Sequence, residues 1–253
     1  MKANFVPDRI TVYDPLVLAA SLRSACIALP QVGRNPGDMS LAVLMAQIAL
    51  ETGRGKSCHG WNLGNIKASK NYEGQYSCFR CNEIIRGKVK WFSPDTDGFA
   101  VPPGHPQTRF RAYEDAPGLK PASVRASYEY VAFLAARTRY AKAWKAALAG
   151  DPAAYVHELK IAGYFTASEG PYARAVVSLV KTYLPSVHAS HSLNHVEPDP
   201  VHQDEDDGDS DHSATSNEDL IHMAPLLELP DWKPAAMEEI RKSMLEEDME
   251  EKA

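Results

Sequence analysis

The sequence predicts an α+β fold that is predominantly α, with a small β-hairpin lobe and a disordered acidic tail. Three observations carry that prediction. Apolar residues recur at helical spacing over most of the chain, short alternating runs replace them between Tyr72 and Phe92, and the composition changes abruptly after Pro185. With 253 residues, 44% of them hydrophobic, the chain holds one good-sized domain plus extensions.

The first helix is expected over residues 12 to 29, where Val12, Leu16, Ala19, Ala20, Arg23 and Ile27 form a fair apolar stripe, and Pro30, Gly33, Pro36 and Gly37 then break the pattern. A second begins near Ser40. Its Leu41, Leu44, Met45 and Ile48 fall at i, i+3, i+4 and i+7, which predicts one buried face, and Gly53 and Gly55 stop it. The two-stranded lobe follows, with Arg86-Gly87 as its turn and a Pro/Gly-rich loop from Pro94 to Pro106. Helical spacing returns with Val124, Tyr128, Val131 and Leu134, then with Tyr140, Ala143, Trp144 and Ala147. Asp151-Pro152 reads as an N-cap followed by proline at the first helical position, Gly163 lies beyond that helix, and Pro171 opens the last one.

This order gives four segments: a helical extension over residues 1–39 packed on the domain, the domain itself over 40–186, a disordered acidic and His-rich linker over 187–218, and an acidic helical segment over 219–253 that forms only against a protein partner. Charge divides the chain at the same place. Residues 1–186 carry 23 Lys+Arg against 14 Asp+Glu, net +9, and residues 187–253 carry 4 against 19, net −15. A basic body suits a polyanionic partner, and charge alone does not choose among cell wall, nucleic acid and acidic membrane. The start MKANFVPDRI has no apolar stretch behind Lys2, and no 18-residue apolar run occurs, so neither a Sec signal nor a membrane span is expected.

Glu51 is the most informative residue. Its place three positions after Ile48 and seven after Leu44 puts a carboxyl group on the apolar face of the second helix. Partial burial and the negative end of the helix dipole both disfavour the anion, which raises the pKa toward the range of a general acid. The plainer alternative is a solvated helix-ending residue, or a partner for Arg54 or Lys56.

The residues after Glu51 decide between these. Ala46, Gln47, Ala49, Leu50, Glu51, Thr52, Gly53, Gly55, Lys56 and Ser57, followed by Asn62, Leu63, Ile66, Lys67 and Ala68, resemble the pattern of the bacterial peptidoglycan glucosaminidases, typified by the flagellar rod-cap hydrolase and the autolysin glucosaminidase domains. Phe110-Arg111-Ala112-Tyr113, Arg139-Tyr140-Ala141, and Leu159 to Tyr164 with Thr166 and Pro171-Tyr172-Ala173 are similar to further motifs in the family's order, so the resemblance covers roughly residues 40 to 185. One departure stands in the last motif, where Thr166 is followed by Ala167-Ser168-Glu169 instead of the family's aspartate.

The resemblance implies a lysozyme-like domain in which Glu51 protonates the β-1,4 glycosidic oxygen between N-acetylglucosamine and N-acetylmuramic acid. Glu83 on the hairpin lobe matches the second carboxylate, as a base for water or as a charge facing an oxocarbenium-like centre. Tyr164 is expected beside the acid, and Tyr172 near it as a substrate-binding or packing residue. The segment from Asn62 to Lys67, with Asn62, Leu63, Ile66 and Lys67 foremost, is expected to line the sugar groove, with Trp61 either stacking on a sugar ring or packing in the core. A lytic transglycosylase on the same glycan, and an idle wall-binding or virion module of this fold, are the competing readings. The partner implied is bacterial peptidoglycan rather than nucleic acid, without membrane insertion; the wall is reached by phage lysis as an endolysin, by a virion-like particle or by dedicated secretion.

No cofactor and no metal are expected. Cys58, His59, Cys78, Cys81 and His105 offer donors, but residues three apart on a strand point to opposite faces, which suits neither a Cys78–Cys81 chelate nor a disulfide between them. A disulfide from Cys58 to Cys78 or Cys81 is the better of the cysteine alternatives. The histidines from His188 to His222 read as parts of a solvated linker.

Overall fold

A computed structural model of the chain describes residues 4–29, 35–69, 72–85, 88–94, 106–165 and 167–193. The Arg86-Gly87 turn, the loop through His105, Thr166 and the tail from residue 194 lie outside the described residues. The elements in order are β1 (Asn4–Phe5), α1 (Pro15–Ala28), α2 (Asp38–Glu51), β2 (Gln75–Cys78), β3 (Cys81–Ile85), β4 (Lys88–Phe92), β5 (Arg109–Arg111), α3 (Ala122–Ala135), α4 (Ala141–Leu148), α5 (Pro152–Ile161) and α6 (Glu169–Leu193). The predominantly helical α+β expectation is therefore met.

Caps explain where the helices begin. Asp14 accepts from the backbone N–H of Leu16 at 2.6 Å and of Val17 at 3.4 Å, with Pro15 at the first position, so α1 starts three residues later than its apolar stripe suggests. Asp151 does the same for α5, accepting from Ala153 at 3.0 Å and Ala154 at 2.9 Å. The sequence reading used this Asp-Pro signal for α5 and overlooked it for α1.

Helix α2 forms the centre. Every residue from Ser40 to Ala49 is buried, so it is enclosed all round instead of presenting one apolar face. The physical reason is the company it keeps: α6 packs along it, and α1 and α4 add further contacts. Helix α1 also packs on α3 and α6, and its Leu18, Leu22 and Cys26 are fully buried in the same core as α2.

The lobe is larger than a single hairpin. Strand β2 runs antiparallel to β5, pairing Tyr76 with Arg111, Ser77 with Phe110 and Cys78 with Arg109, while β1 adds a short parallel edge. Strands β3 and β4 form a separate antiparallel pair, with Cys81 opposite Phe92, Asn82 opposite Trp91 and Glu83 opposite Lys90.

Helix α6 departs most from expectation, because it does not end at Pro185 but continues to Leu193. Val187 is fully buried and Ser190 is buried, its hydroxyl donating to the Val187 carbonyl at 2.7 Å. Beyond them His191 Nε2 lies 2.6 Å from Asp38 Oδ1 at the start of α2, and the buried Arg23 donates to the same oxygen at 3.0 Å. His188 Nε2 stands 3.4 Å from the other Asp38 oxygen. His188 and His191 thus belong to α6 and not to a linker, though both stay partly exposed; His191 ties α6 to α1 and α2, His188 reaches α2, and the His191 and Arg23 contacts hold the Asp38 carboxyl below the usual range against the opposing effect of its desolvation.

Candidate active site

The end of α2 is built to leave a carboxyl group at its last position. The Thr52 hydroxyl donates back to the Ile48 carbonyl at 2.7 Å, and Gly53, Arg54 and Gly55 turn the chain away at φ 56°, 60° and 83°. A left-handed run of this kind suits glycine and ends the helix at once. Glu51 is left at the C-terminus of α2, and its backbone carbonyl accepts from Asn65 Nδ2 at 3.1 Å.

The carboxyl group is half-buried and held from two sides. Tyr172 donates its hydroxyl to Oε1 at 2.7 Å, and Asn65 Nδ2 approaches Oε2 at 3.4 Å. Burial pushes the pKa up, and these two donors oppose it only in part, so the net shift is upward. The donors are a phenol and an amide, not the guanidinium or ammonium of Arg54 or Lys56. Asn65 itself sits at φ 50°, a left-handed conformation that asparagine tolerates better than most residues.

One turn earlier on α2, Gln47 is fully buried, and its carbonyl accepts from the hydroxyls of Tyr130 and of Tyr155, the latter at 2.5 Å. Tyr164 donates to the Gly64 carbonyl at 3.0 Å, and a side chain at Gly64 would meet the Tyr130 ring at 2.9 Å. That close approach requires glycine. Tyr172 lies flat on Phe165, with centroids 3.9 Å apart and planes 3° off parallel. Burial and the Glu51 carboxylate both drive the phenols of Tyr164 and Tyr172 well above the ordinary tyrosine range, so both are neutral donors.

A cleft of about 870 Å³ opens over this group. Glu51, Asn65, Ile66, Lys67, Tyr164 and Tyr172 all line it, together with Phe79, Cys81, Asn82 and Phe110 from the lobe and Phe133, Arg137, Arg139 and Tyr140 from the helices. Three of the residues expected in the groove lie elsewhere. Trp61 packs against the main core, Leu63 is buried in it, and Asn62, 1% exposed, spends its amide on the backbone of Ile66, donating to the carbonyl and accepting from the N–H at 2.8 Å each. Asn62 shapes the groove-lining loop and does not face a sugar. The backbone of Glu83 lies in β3 two residues beyond Cys81, and its side chain is outside the described residues.

The model of the glucosaminidase family, described as mannosyl-glycoprotein endo-beta-N-acetylglucosaminidase, matches residues 34–185. The chain belongs to this family. It is accordingly a glycoside hydrolase by membership. Two solved structures are similar. A peptidoglycan hydrolase mutant from Sphingomonas sp. A1 is 25% identical, with 70% of this chain and 99% of that one covered at a TM-score of 0.47. A C-terminally truncated glycoside hydrolase domain from Salmonella typhimurium FlgJ is 22% identical, with 67% and 97% covered at a TM-score of 0.40. No curated protein sequence matches the chain.

In this glucosaminidase the motif Phe110-Arg111-Ala112-Tyr113 joins the lobe to the helices. Arg111 and Tyr113 both donate to Glu129 Oε2 on α3, at 2.7 Å each, and the Arg111 guanidinium lies over the Tyr72 ring. A buried arginine needs such a partner. The cysteines take no part in the site's construction as a disulfide, since all four are free thiols, and burial pushes the Cys58 thiol up to about 12. Among the described residues no three His, Cys, Asp or Glu side chains converge on a metal position. His105 lies outside them.

Sequence reasoning missed Gln47 and Phe165 as builders of the site, and it placed Asn65 in the groove-lining run without its contact to Glu51. The tolerance of asparagine for left-handed backbone was a usable signal for Asn65 in Asn62-Leu63-Gly64-Asn65, and the i, i+4 spacing of Gln47 and Glu51 places both on one face of α2. Nothing in the sequence marks Phe165.

Proposed function

We propose that the protein is a peptidoglycan hydrolase that cleaves the β-1,4 bond between N-acetylglucosamine and N-acetylmuramic acid at the bacterial cell wall, with Glu51 as general acid. The observation that supports this most is the half-buried Glu51 carboxyl, raised in pKa by its burial, lining a cleft of about 870 Å³. Tyr172 occupies Oε1 and so leaves Oε2 to carry the proton. As that proton passes to the glycosidic oxygen, the bond from the anomeric carbon to that oxygen breaks and positive charge develops at the sugar. Asn65 stands ready to donate to the carboxylate formed. Glu83 serves as the second carboxylate, taking a proton from the attacking water or stabilising the cationic centre, and Tyr164 holds the cleft wall near Glu51 through its bond to the Gly64 carbonyl.

The substrate assignment draws on the motif resemblance and on the net +9 of residues 1–186, which suits an anionic wall. The test is mass spectrometry of the products from purified sacculi. The reading expects new reducing N-acetylglucosamine ends, because a glucosaminidase breaks the bond at the glucosamine unit's anomeric carbon, and reducing N-acetylmuramic acid ends would assign the cut to the other sugar. Anhydromuramic ends would replace the hydrolase by a lytic transglycosylase, and intact strands would remove the substrate assignment altogether.

A further inference from the structure

A tyrosine beside a protonated carboxyl group can meet it in two ways. Tyr172 can donate to Oε1 and leave the acidic proton on Oε2, or it can accept that proton from Oε1 on its own oxygen, where the proton is tied up in the protein. The side chain one turn earlier on α2 decides between them. Gln47 is fully buried and is not among the residues that line the cleft. Its carbonyl accepts from the hydroxyls of Tyr130 on α3 and Tyr155 on α5. Its amide nitrogen is buried with no direct hydrogen-bond partner among the described residues, and a buried N–H without an acceptor is costly. The groups it faces are the phenols of Tyr164 and Tyr172. Burial and the Glu51 carboxylate drive both phenols up, and the Gln47 amide opposes that rise, as a donor turned toward a phenol oxygen does.

Which end of the amide faces these phenols follows from the hydrogens available. A tyrosine has one hydroxyl hydrogen. That of Tyr164 is spent on the Gly64 carbonyl at 3.0 Å, so the Tyr164 oxygen can only accept from Gln47. The nitrogen of Gln47 therefore belongs on the side of Tyr164 and Tyr172, and its carbonyl on the side of Tyr130 and Tyr155. With an N–H directed at the Tyr172 oxygen, the one hydrogen of Tyr172 goes to Glu51 Oε1 at 2.7 Å. Gln47 does not act on Glu51 directly, since that carboxyl responds to burial, Tyr172 and Asn65.

We propose that Gln47 is a positioning residue that acts through Tyr172: its amide fixes the direction of the Tyr172 hydrogen bond and so keeps the Glu51 proton on Oε2. The donors then run one way, from Tyr130 and Tyr155 to Gln47, from Gln47 to Tyr172, and from Tyr172 to the carboxyl group. This rests on the reading of Glu51 as the general acid and adds to it the residue that orients the acid. Without Gln47 the Tyr172 hydroxyl is free to turn and accept from Oε1, which favours the protonated acid and withholds its proton from the sugar.

Gln47→Met alone would strand two buried hydroxyls, so it is combined with Tyr130→Phe and Tyr155→Phe, which removes donors and acceptor together at nearly constant shape. The experiment measures kcat, KM and the pH profile of the full chain on soluble glycan strands, with these three substitutions made in the wild-type and in the Tyr172→Phe background. With Tyr172 present, kcat should fall by about threefold to tenfold, the range of one neutral hydrogen bond, KM should hold, and the basic limb should move to higher pH. With Tyr172→Phe, the same substitutions should change kcat by less than about twofold and leave the limb in place. Unchanged kcat and limb with Tyr172 present, or an equal fall in both backgrounds, overturns the proposal, since a packing role does not need the Tyr172 hydroxyl. A second measurement needs no variant. Neutron diffraction from deuterated wild-type crystals, at a pH below the basic limb, should place the Tyr172 deuterium toward Oε1, the acid's deuterium on Oε2 and the Gln47 nitrogen toward Tyr172. The acid's deuterium on Oε1, or the Gln47 oxygen toward Tyr172, overturns the proposal as well. Failure of the underlying reading shows differently, as absence of strand cleavage by wild type or full activity in Glu51→Gln.

Discussion

Replacing Tyr172 by phenylalanine removes the phenol that donates to Glu51 Oε1 at 2.7 Å and keeps the ring stacked on Phe165. That donor favours the carboxylate, so its loss raises an already elevated pKa further. Activity that needs protonated Glu51 is lost as pH rises through that pKa, and the basic limb of the kcat/KM profile should therefore move to higher pH in Tyr172→Phe. An unmoved limb, or one shifted to lower pH, contradicts the role given to Tyr172. For Glu83, a fall in turnover of at least about tenfold in Glu83→Gln, roughly 1.4 kcal/mol of barrier, is expected, and a smaller effect means that another group is the second carboxylate. Much of this was legible at the residue scale. The position of Glu51 after Leu44 and Ile48 announced a carboxyl in apolar surroundings, but the same reasoning could not show that Tyr172, 121 positions away, would meet it, because that contact depends on how α6 lies against α2.

The loop that follows α2 shows what an element-scale motif is for. Asn62 was expected to touch sugar, and it instead closes the loop on itself through two 2.8 Å bonds with Ile66, from a position sealed off from solvent. Asn62→Ala should cost about 1 to 3 kcal/mol by leaving the Ile66 backbone groups unpaired, read as a lower midpoint in urea, and should lower activity through the displaced Asn65. Unchanged stability would mean that the loop is held by other contacts. A motif spelled in letters does not distinguish a residue that holds the backbone from one that holds the substrate. The helices were read well from periodicity and, for α5, from the Asp151-Pro152 cap, whereas the same Asp14-Pro15 signal before α1 was passed over and that helix was begun three residues early. The lobe was read less well, because β2 pairs with β5 more than thirty positions away, and such pairings leave no local trace.

At the scale of the whole molecule, the basic body and acidic tail are plain from composition, but the join between them is not at Pro185. Helix α6 crosses that proline, and the pattern of His and Ser beyond it hid Val187, which the core takes up there. A chain ending at residue 193 should melt with the full-length protein and hydrolyse soluble glycan at the same rate. One ending at residue 186 should be less stable by about 1.5 to 3 kcal/mol for the lost burial of Val187, with more from the broken His191 and Asp38 contact. Equal melting of the two truncations would show that this stretch of α6 is not part of the domain. In the proposed mechanism, catalysis rests on a single proton held by the half-buried Glu51 carboxyl group at the end of the central helix. The most direct measurement is the turnover of soluble glycan strands by Glu51→Gln, made beside a thermal melt at the same pH. Because burial favours the neutral form, the variant should fold at least as stably as wild type above the pKa of Glu51, while losing strand cleavage by about a thousandfold or more. A folded Glu51→Gln enzyme with near-normal turnover would contradict it.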